Sequence, residues 1–259
     1  MDTSSDSFVP VAPAPKASLP KPAATPLGRW ILLITAIVQF ISPAFFPFDG
    51  SSTDPPITPP PVFFSIWGII TTGCLAAALW GFPARRAIAA PYRHVQLPLS
   101  FTQVLFVCWL AAATLQGERY RILTLPIFLG MLAGVSAALA AVQRAPVAED
   151  DAASRRLLSG VLGLYAGWST PAIWLNLGAL LPVAWLQGAN GTALQTGLAS
   201  AAAVSVVGGS YLSRGNVGFA LASGWALTGV LISSVKVGLV PTAVAAGTGV
   251  AIVVSSLFW

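Results

Sequence analysis

The sequence has few charged residues and very few that carry acid–base or metal chemistry. Of its 259 residues only 8 % are charged, whereas a typical soluble domain has ~25 %. It contains eight acidic residues, two cysteines and one histidine. A soluble fold of this length needs more polar surface than these residues supply, so the composition excludes an ordinary soluble domain.

The positions of the rare acids and of the histidine restrict the chemistry further. No Asp or Glu lies inside the long apolar stretches, and His94 is predicted to lie in a basic loop. Ionisable residues within a membrane usually mark proton relays and ion paths, so a proton-driven transporter is not expected. Without a buried acid or histidine, neither a haem or zinc site nor a Ser–His–acid triad can form. We therefore expect no metal, no cofactor and no enzymatic activity.

Long apolar stretches are what the sequence has instead, since 56 % of the residues are hydrophobic. A helix crosses ~30 Å of hydrocarbon with ~20 mostly apolar residues. The candidate windows are apolar throughout rather than alternating, which favours helices over a barrel. The predicted fold class is therefore all-α, a polytopic transmembrane helical bundle of about eight spans. The windows are Leu27–Phe46, Val62–Phe82, Leu97–Gln116, Ile122–Val142, Leu157–Leu181, Thr192–Ser213, Asn216–Val235 and Leu239–Phe258.

The C-terminal windows allow an alternative. Lys236 is nearly the only charged break after Phe219, so a seven-span bundle with a long re-entrant C-terminal segment is also open. Gly238 and Pro241 favour a tight turn between two helices.

The basic residues predict an orientation in the inner membrane rather than nucleic-acid binding. If the N-terminus is cytoplasmic, ten Lys and Arg fall on the cytoplasmic side and three on the other. This asymmetry is the positive-inside pattern. It predicts that both termini are cytoplasmic and that the proline-rich loop Pro47–Pro61 faces outward. The ten are Lys16, Lys21, Arg29, Arg85, Arg86, Arg93, Arg144, Arg155, Arg156 and Arg214; the three are Arg119, Arg121 and Lys236.

Residues 1–26 are rich in Pro, Ala and Ser and lack the basic start and apolar core of a signal peptide. We interpret them as a disordered cytoplasmic tail.

Neutral polar and aromatic residues recur at helical spacing within the spans. Because buried Gln and Asn are costly unless they are paired, these faces should point into the bundle. Hydrogen bonding between helices without any ligand is the alternative explanation. The faces are Thr35, Gln39, Ser42 and Phe46; Phe63, Trp67, Thr71 and Cys74; Gln103, Leu110 and Thr114; and Tyr165, Trp168, Ala172 and Asn176.

Two segments carry a family resemblance. Thr58–Trp67 reads TPPPVFFSIW at the head of a span, and Leu164–Asn176 reads LYAGWSTPAIWLN within a later one. In their order and spacing they resemble the tryptophan-rich sensory protein family, also called the TspO/MBR or translocator-protein family. The resemblance covers about residues 27–182.

The resemblance implies a five-helix core over residues 27–182, followed by three additional helices over residues 192–259. It implies a pocket under the first loop for a flat hydrophobic ligand such as a porphyrin or another tetrapyrrole, serving transport or sensing. A metal-free porphyrin fits better than haem, because no histidine is present to hold iron. The implied ligand-binding residues are Phe63, Trp67, Tyr165, Trp168 and Asn176.

A permease for a small neutral solute and a structural subunit of a membrane complex remain open as other functions. A lipid-modifying enzyme is the least favoured alternative, because the spans contain no acid and no histidine. A homodimer is also expected to be feasible, because Gly160, Gly163 and Gly167 form a small-residue face.

Overall fold

The computed structural model describes residues 26–46, 54–115, 118–146 and 152–256. Within these ranges the chain forms nine α-helices and no strand, which confirms the predicted all-α bundle. The predicted tail lies outside the described residues, apart from Pro26, which begins the first helix. The helices are α1 Pro26–Ile41, α2 Ile66–Gly81, α3 Ala84–Ala87, α4 Ala90–Thr114, α5 Glu118–Arg144, α6 Ala152–Leu180, α7 Gly188–Leu212, α8 Val217–Lys236 and α9 Val240–Ser256. Short 3-10 helices cover Ser42–Ala44, Pro61–Ser65 and Val183–Leu186.

Each of the eight predicted windows corresponds to a separate helix, and α3 is the one short addition. By length and composition, five segments could cross a membrane, and α9 is a shorter apolar helix. The five are Leu27–Ala44, Pro61–Gly81, Ala90–Thr114, Tyr120–Arg144 and Val217–Lys236. The last two windows are two helices joined by a turn, in which Gly238 has φ +73°. Such a backbone conformation suits glycine, which has no Cβ to clash.

The start of α4 corrects one prediction. The helix begins at Ala90, seven residues before the predicted window, so His94 lies on a helix and not in a loop. Two buried side chains hold this polar turn: the Tyr92 hydroxyl donates to the Ala77 carbonyl at 2.8 Å, and Gln96 Nε2 donates to the Ala87 carbonyl at 3.0 Å. Hydropathy does not predict this first turn of α4, because the turn is polar and is stabilised by hydrogen bonds to carbonyls outside the helix.

The helix α6 is central to the bundle, where it packs against α5, α7 and α8. Its contact with α8 is close: a Cβ added at Gly163 would overlap the Asn216 side chain, and one at Gly167 would overlap the Phe219 backbone. Two of the three glycines of the predicted dimer face are therefore covered by α8 of the same chain. The homodimer itself stays a prediction.

Hydrogen bonds show which helix ends lie together. Arg29 Nη1 donates to the Phe82 carbonyl at 3.5 Å, and Trp80 Nε1 donates to Ser154 Oγ at 3.2 Å. We call this the arginine end of the bundle, because most described basic residues lie there. They are Arg29, Arg85, Arg86, Arg93, Arg144, Arg155, Arg156 and Arg214, against Arg121 and Lys236 at the opposite, loop end.

Candidate functional site

Trp67 lies at the centre of an aromatic cluster between α2, α4 and α6. Its ring centroid is 4.9 Å from that of Phe106 and 5.7 Å from that of Trp109. Tyr165 and Trp168 lie 5.6 and 6.2 Å away and meet the Trp67 ring nearly edge-on, at 87° and 83°. Such offset and edge-to-face pairs stabilise one another by about 0.5–1.5 kcal/mol beyond area burial.

Helical spacing explains why these rings meet. Tyr165 and Trp168 are three residues apart on α6, and Phe106 and Trp109 are three apart on α4. Residues at this spacing lie on the same face of a helix. Trp67 is the second residue of α2, which begins directly after the 3-10 turn Pro61–Ser65.

Two fully buried glutamines lie beside the rings. Gln39 Nε2 donates to the Tyr165 hydroxyl at 3.2 Å, and Thr35 Oγ1 donates to Gln103 Oε1 at 2.6 Å. The predicted inward orientation of these polar faces is thereby confirmed for α1 and α4.

Three buried polar atoms at this position have no hydrogen-bond partner. They are Gln39 Oε1, Gln103 Nε2 and the indole Nε1 of Trp168. The large majority of buried polar atoms in proteins are paired, so an unpaired one calls for an explanation. Together these atoms offer one acceptor and two donors to anything that enters the cluster.

Asn176 joins the cluster through Trp109. Its Oδ1 accepts a hydrogen bond from Trp109 Nε1 at 3.0 Å, while its Nδ2 donates to the Ala172 carbonyl at 3.0 Å. Asn176 is therefore linked to Trp67 through the side chain of Trp109.

Phe63 is turned away from the cluster toward α8. Its ring centroid is 4.4 Å from that of Trp225, whose Nε1 donates to the Phe63 carbonyl at 2.9 Å. The neighbouring Phe64 meets Trp168 instead, at 5.7 Å and 82°. Of the five predicted ligand-binding residues, Tyr165 and Trp168 both contact Trp67. Asn176 is linked to Trp67 through Trp109, and Phe63 packs against Trp225 instead.

The described part of the proline-rich loop is held by the C-terminal helices. Ile57 is fully buried in a small apolar cluster with Leu198, Val230 and Ala246, and Ser233 Oγ donates to the Thr58 carbonyl at 2.7 Å. Residues 47–53 of the predicted outward loop lie outside the described residues.

The cluster is filled by its own rings. Centroids 4.9–6.2 Å from Trp67 leave no space for a macrocycle between neighbouring rings. A flat ligand must therefore part the rings. Trp67 is only partly buried, whereas Tyr165 and Trp168 are fully enclosed, so Trp67 is the ring best placed to move.

The sequence prediction missed Phe106 and Trp109 as members of the cluster. Their spacing of three, with Gln103 a further three residues before them, places all three on one face of α4. That pattern was available as a signal, but core packing explains a tryptophan within an apolar window equally well.

A family model described as TSPO-like protein matches residues 29–259, which include all three C-terminal helices. No curated protein and no solved structure matches the chain.

Proposed function

Because the chain belongs to the TSPO-like protein family, we propose that this membrane protein binds a flat hydrophobic ligand of the porphyrin type in its aromatic cluster. The ligand would be bound for transport or sensing. The family match and the membrane-spanning helices support the membrane setting. The composition of the aromatic cluster supports the ligand class.

The unpaired polar atoms among the rings are the observation that carries this proposal. A tetrapyrrole offers flat π-faces for stacking on Trp67 and Trp168, and inner nitrogens that both donate and accept hydrogen bonds. Gln39 Oε1 could accept from a pyrrole N–H, and Gln103 Nε2 or Trp168 Nε1 could donate to an unprotonated ring nitrogen. Leaving such atoms unpaired costs about 1–3 kcal/mol each, which a ligand that pairs them would recover.

The proposed ligand is metal-free, and the proposed role is binding rather than catalysis. The groups that surround Trp67 are neutral, and no cluster of three or more His, Cys, Asp or Glu occurs among the described residues. Stacking and hydrogen bonds would hold such a ligand without a protein ligand to a central metal.

We also propose that the arginine end lies in the cytoplasm and that the bundle sits in the inner membrane. Basic residues are retained on the cytoplasmic side of membrane proteins, and those described here concentrate at that end. The proline-rich loop and the adjacent cluster would then face outward.

A titration with metal-free protoporphyrin tests this proposal. The purified full chain in detergent is titrated while tryptophan fluorescence is followed, and the saturable quenching gives a Kd. The variant W168F keeps an aromatic ring but removes the unpaired indole N–H. A lost hydrogen bond of about 0.5–1.5 kcal/mol should weaken binding roughly two- to tenfold.

The matched control is W185F, since Trp185 is 61 % exposed near the loop end and lies outside the cluster. W185F should bind like the parent chain. Equal affinities for W168F, W185F and the parent would remove the assigned role of the Trp168 indole, and absence of saturable quenching would remove the proposed function.

A permease for a small neutral solute is the second candidate. The buried pairs Thr35–Gln103 and Gln39–Tyr165 connect α1, α4 and α6 through neutral hydrogen-bonding groups. Glycerol flux in proteoliposomes without saturable protoporphyrin binding would favour this candidate over the first.

A further inference from the structure

Two adjoining cavities lie at the arginine end, away from the aromatic cluster. The larger has a volume of about 700 Å³ and is bounded by α5, α7 and α9. The smaller, of about 590 Å³, lies between the ends of α5, α6 and α8. Gln143, Arg214 and Gly215 line both cavities, so the two lie side by side at the turn that follows α7.

Arginines from two connections, α5–α6 and α7–α8, surround this site. Arg144 ends α5 and Arg214 follows α7, while Arg155 and Arg156 lie in the first turns of α6. Within the described ranges no acidic side chain lines either cavity. Arg144 and Arg214 line the larger cavity, and Arg155, Arg156 and Arg214 line the smaller one, where Arg155 also donates to the Ala145 carbonyl. The guanidinium group presents a planar set of donors that matches phosphate oxygens, so the paired arginines of the larger cavity favour a phosphate-bearing anion.

A buried hydroxyl without a partner also points to a ligand. Ser210 lines the larger cavity and is 7 % exposed, and its Oγ has no hydrogen-bond partner. The neighbouring amide of Gln143 is already engaged, because its Nε2 donates to the Ser213 carbonyl at 2.6 Å. Ser210 Oγ is thus a buried neutral donor without a protein partner beside the larger cavity.

The backbone at Arg214 is unusual for an arginine. It has φ +55°, in the left-handed region that favours glycine, and Gly215 follows with φ +67°. The turn is closed by hydrogen bonds from Arg214 N to the Tyr211 carbonyl and from Gly215 N to the Ser210 carbonyl, both 3.0 Å. Glycine would satisfy this turn with less strain, so the folding of the turn does not explain why arginine stands here.

The walls of the larger cavity are apolar. Val207, Leu212 and Ile252 line it beside the arginines, and Leu212 is 77 % exposed. A cationic rim on an apolar wall, at the end of the membrane-spanning helix α5, fits an amphiphile better than a free ion. Basic pockets between helices at this level bind anionic lipid headgroups.

We propose that this site binds an anionic phospholipid. The phosphate would lie between Arg144 and Arg214 and accept a hydrogen bond from Ser210 Oγ, with an acyl chain along Val207, Leu212 and Ile252. The proposal is independent of the porphyrin proposal, because none of these residues belongs to the aromatic cluster.

Lipid binding to the full chain in detergent tests the proposal, measured by native mass spectrometry with phosphatidylglycerol and phosphatidylcholine. We expect phosphatidylglycerol to bind at least tenfold more tightly. R144Q/R214Q should lose at least tenfold in affinity for phosphatidylglycerol, and S210A about threefold. The control R85Q/R86Q removes the same charge from α3, whose arginines line neither cavity, and should stay within twofold of the parent.

R214G separates binding from folding. Glycine relieves the strained backbone at this position, so the Tm should stay equal or rise while the affinity for phosphatidylglycerol falls several-fold. R214K keeps the charge and should retain most of the affinity. A fall in Tm for R214G with unchanged lipid affinity would mean that Arg214 is structural, and would overturn the assignment.

Other outcomes also overturn the proposal. Equal binding of the two lipids, or unchanged affinity in R144Q/R214Q, would show that the site does not select an anionic headgroup. Displacement of the lipid by millimolar inorganic phosphate would identify a free-phosphate site. Phosphatidylglycerol binding that appears only in E149Q/D150N/D151N would show that this acidic segment, outside the described residues, occupies the arginines instead.

Discussion

The aromatic cluster and the arginine-lined site differ in charge and in open space but share one feature. The cluster around Trp67 is neutral and filled by its own rings, whereas the site around Arg214 is cationic and open. Each contains a buried polar atom without a partner, Trp168 Nε1 in the first and Ser210 Oγ in the second. The difference places the two proposed binding sites at separate positions along one bundle, and only the aromatic cluster would have to open to admit its ligand.

The helix α6 connects the two regions. Tyr165 and Trp168 face the cluster, and Arg155 lines the cationic site near the start of the helix. Between them Gly163 and Gly167 lie against α8. A change in the α6–α8 contact should therefore disturb both regions, whereas changes within one region should leave the other intact.

The largest expected effect comes from G167A. The added methyl group would overlap the Phe219 backbone, which cannot move as a flexible side chain could. Overpacking of this kind costs about 1–3 kcal/mol, so the Tm in detergent should fall by roughly 2–12 °C, at ~2–4 °C per kcal/mol for a chain of this size class. Affinities for protoporphyrin and phosphatidylglycerol should both decrease.

G160A is the matched control on the same helix. A Cβ at Gly160 meets nothing within 4 Å, and alanine favours a helix over glycine by up to ~1 kcal/mol. Its Tm should be unchanged or higher. If G160A and G167A lower the Tm equally, the close α6–α8 contact is not what limits stability.

A smaller effect restricted to the cluster is expected from W109F. The variant keeps a ring beside Trp67 but removes the N–H that Asn176 Oδ1 accepts. We expect about 0.5–1.5 kcal/mol of lost stability and weaker protoporphyrin binding. Phosphatidylglycerol binding, measured on the same preparation, should be unaffected; a loss of lipid affinity would show that the two regions are coupled.

The smallest effect is expected from S233A, which removes the hydrogen bond from α8 to the loop carbonyl of Thr58. The expected loss of stability is about 1 kcal/mol or less. S255A is the control, since Ser255 bonds only within its own helix and is exposed. Thermal unfolding of S233A and S255A measures this loss of stability. Identical unfolding curves would mean that the Ser233 hydrogen bond does not help to fix the loop.

The helices and their inward faces were predictable from the sequence because hydropathy and helical spacing depend on local residues. Gln39 and Gln103 point inward as expected, since unpaired amides are costly in lipid. Trp67, Tyr165 and Trp168 meet as the family resemblance implies. Their role in binding a ligand stays a prediction.

Contacts between distant helices were not predictable in the same way. Phe63 precedes Trp67 by about one turn and shares its predicted face, but the 3-10 turn before α2 directs it toward Trp225 on α8. The cationic site combines Arg144 and Arg155, which flank the α5–α6 connection, with Arg214 from the α7–α8 connection. In the sequence, each of these arginines indicates only which side of the membrane is cytoplasmic. The packing of the helix ends is what brings the three together.

The most direct test asks which region binds the porphyrin, because protoporphyrin also carries two carboxylates that arginines could bind. Protoporphyrin affinity is measured for W67A, which removes the ring at the centre of the cluster, and for R144Q/R214Q. The account predicts a loss of at least tenfold, which is about 1.4 kcal/mol, in W67A and a change within twofold in R144Q/R214Q. Unchanged affinity in W67A with a tenfold loss in R144Q/R214Q would contradict it and place the porphyrin among the arginines.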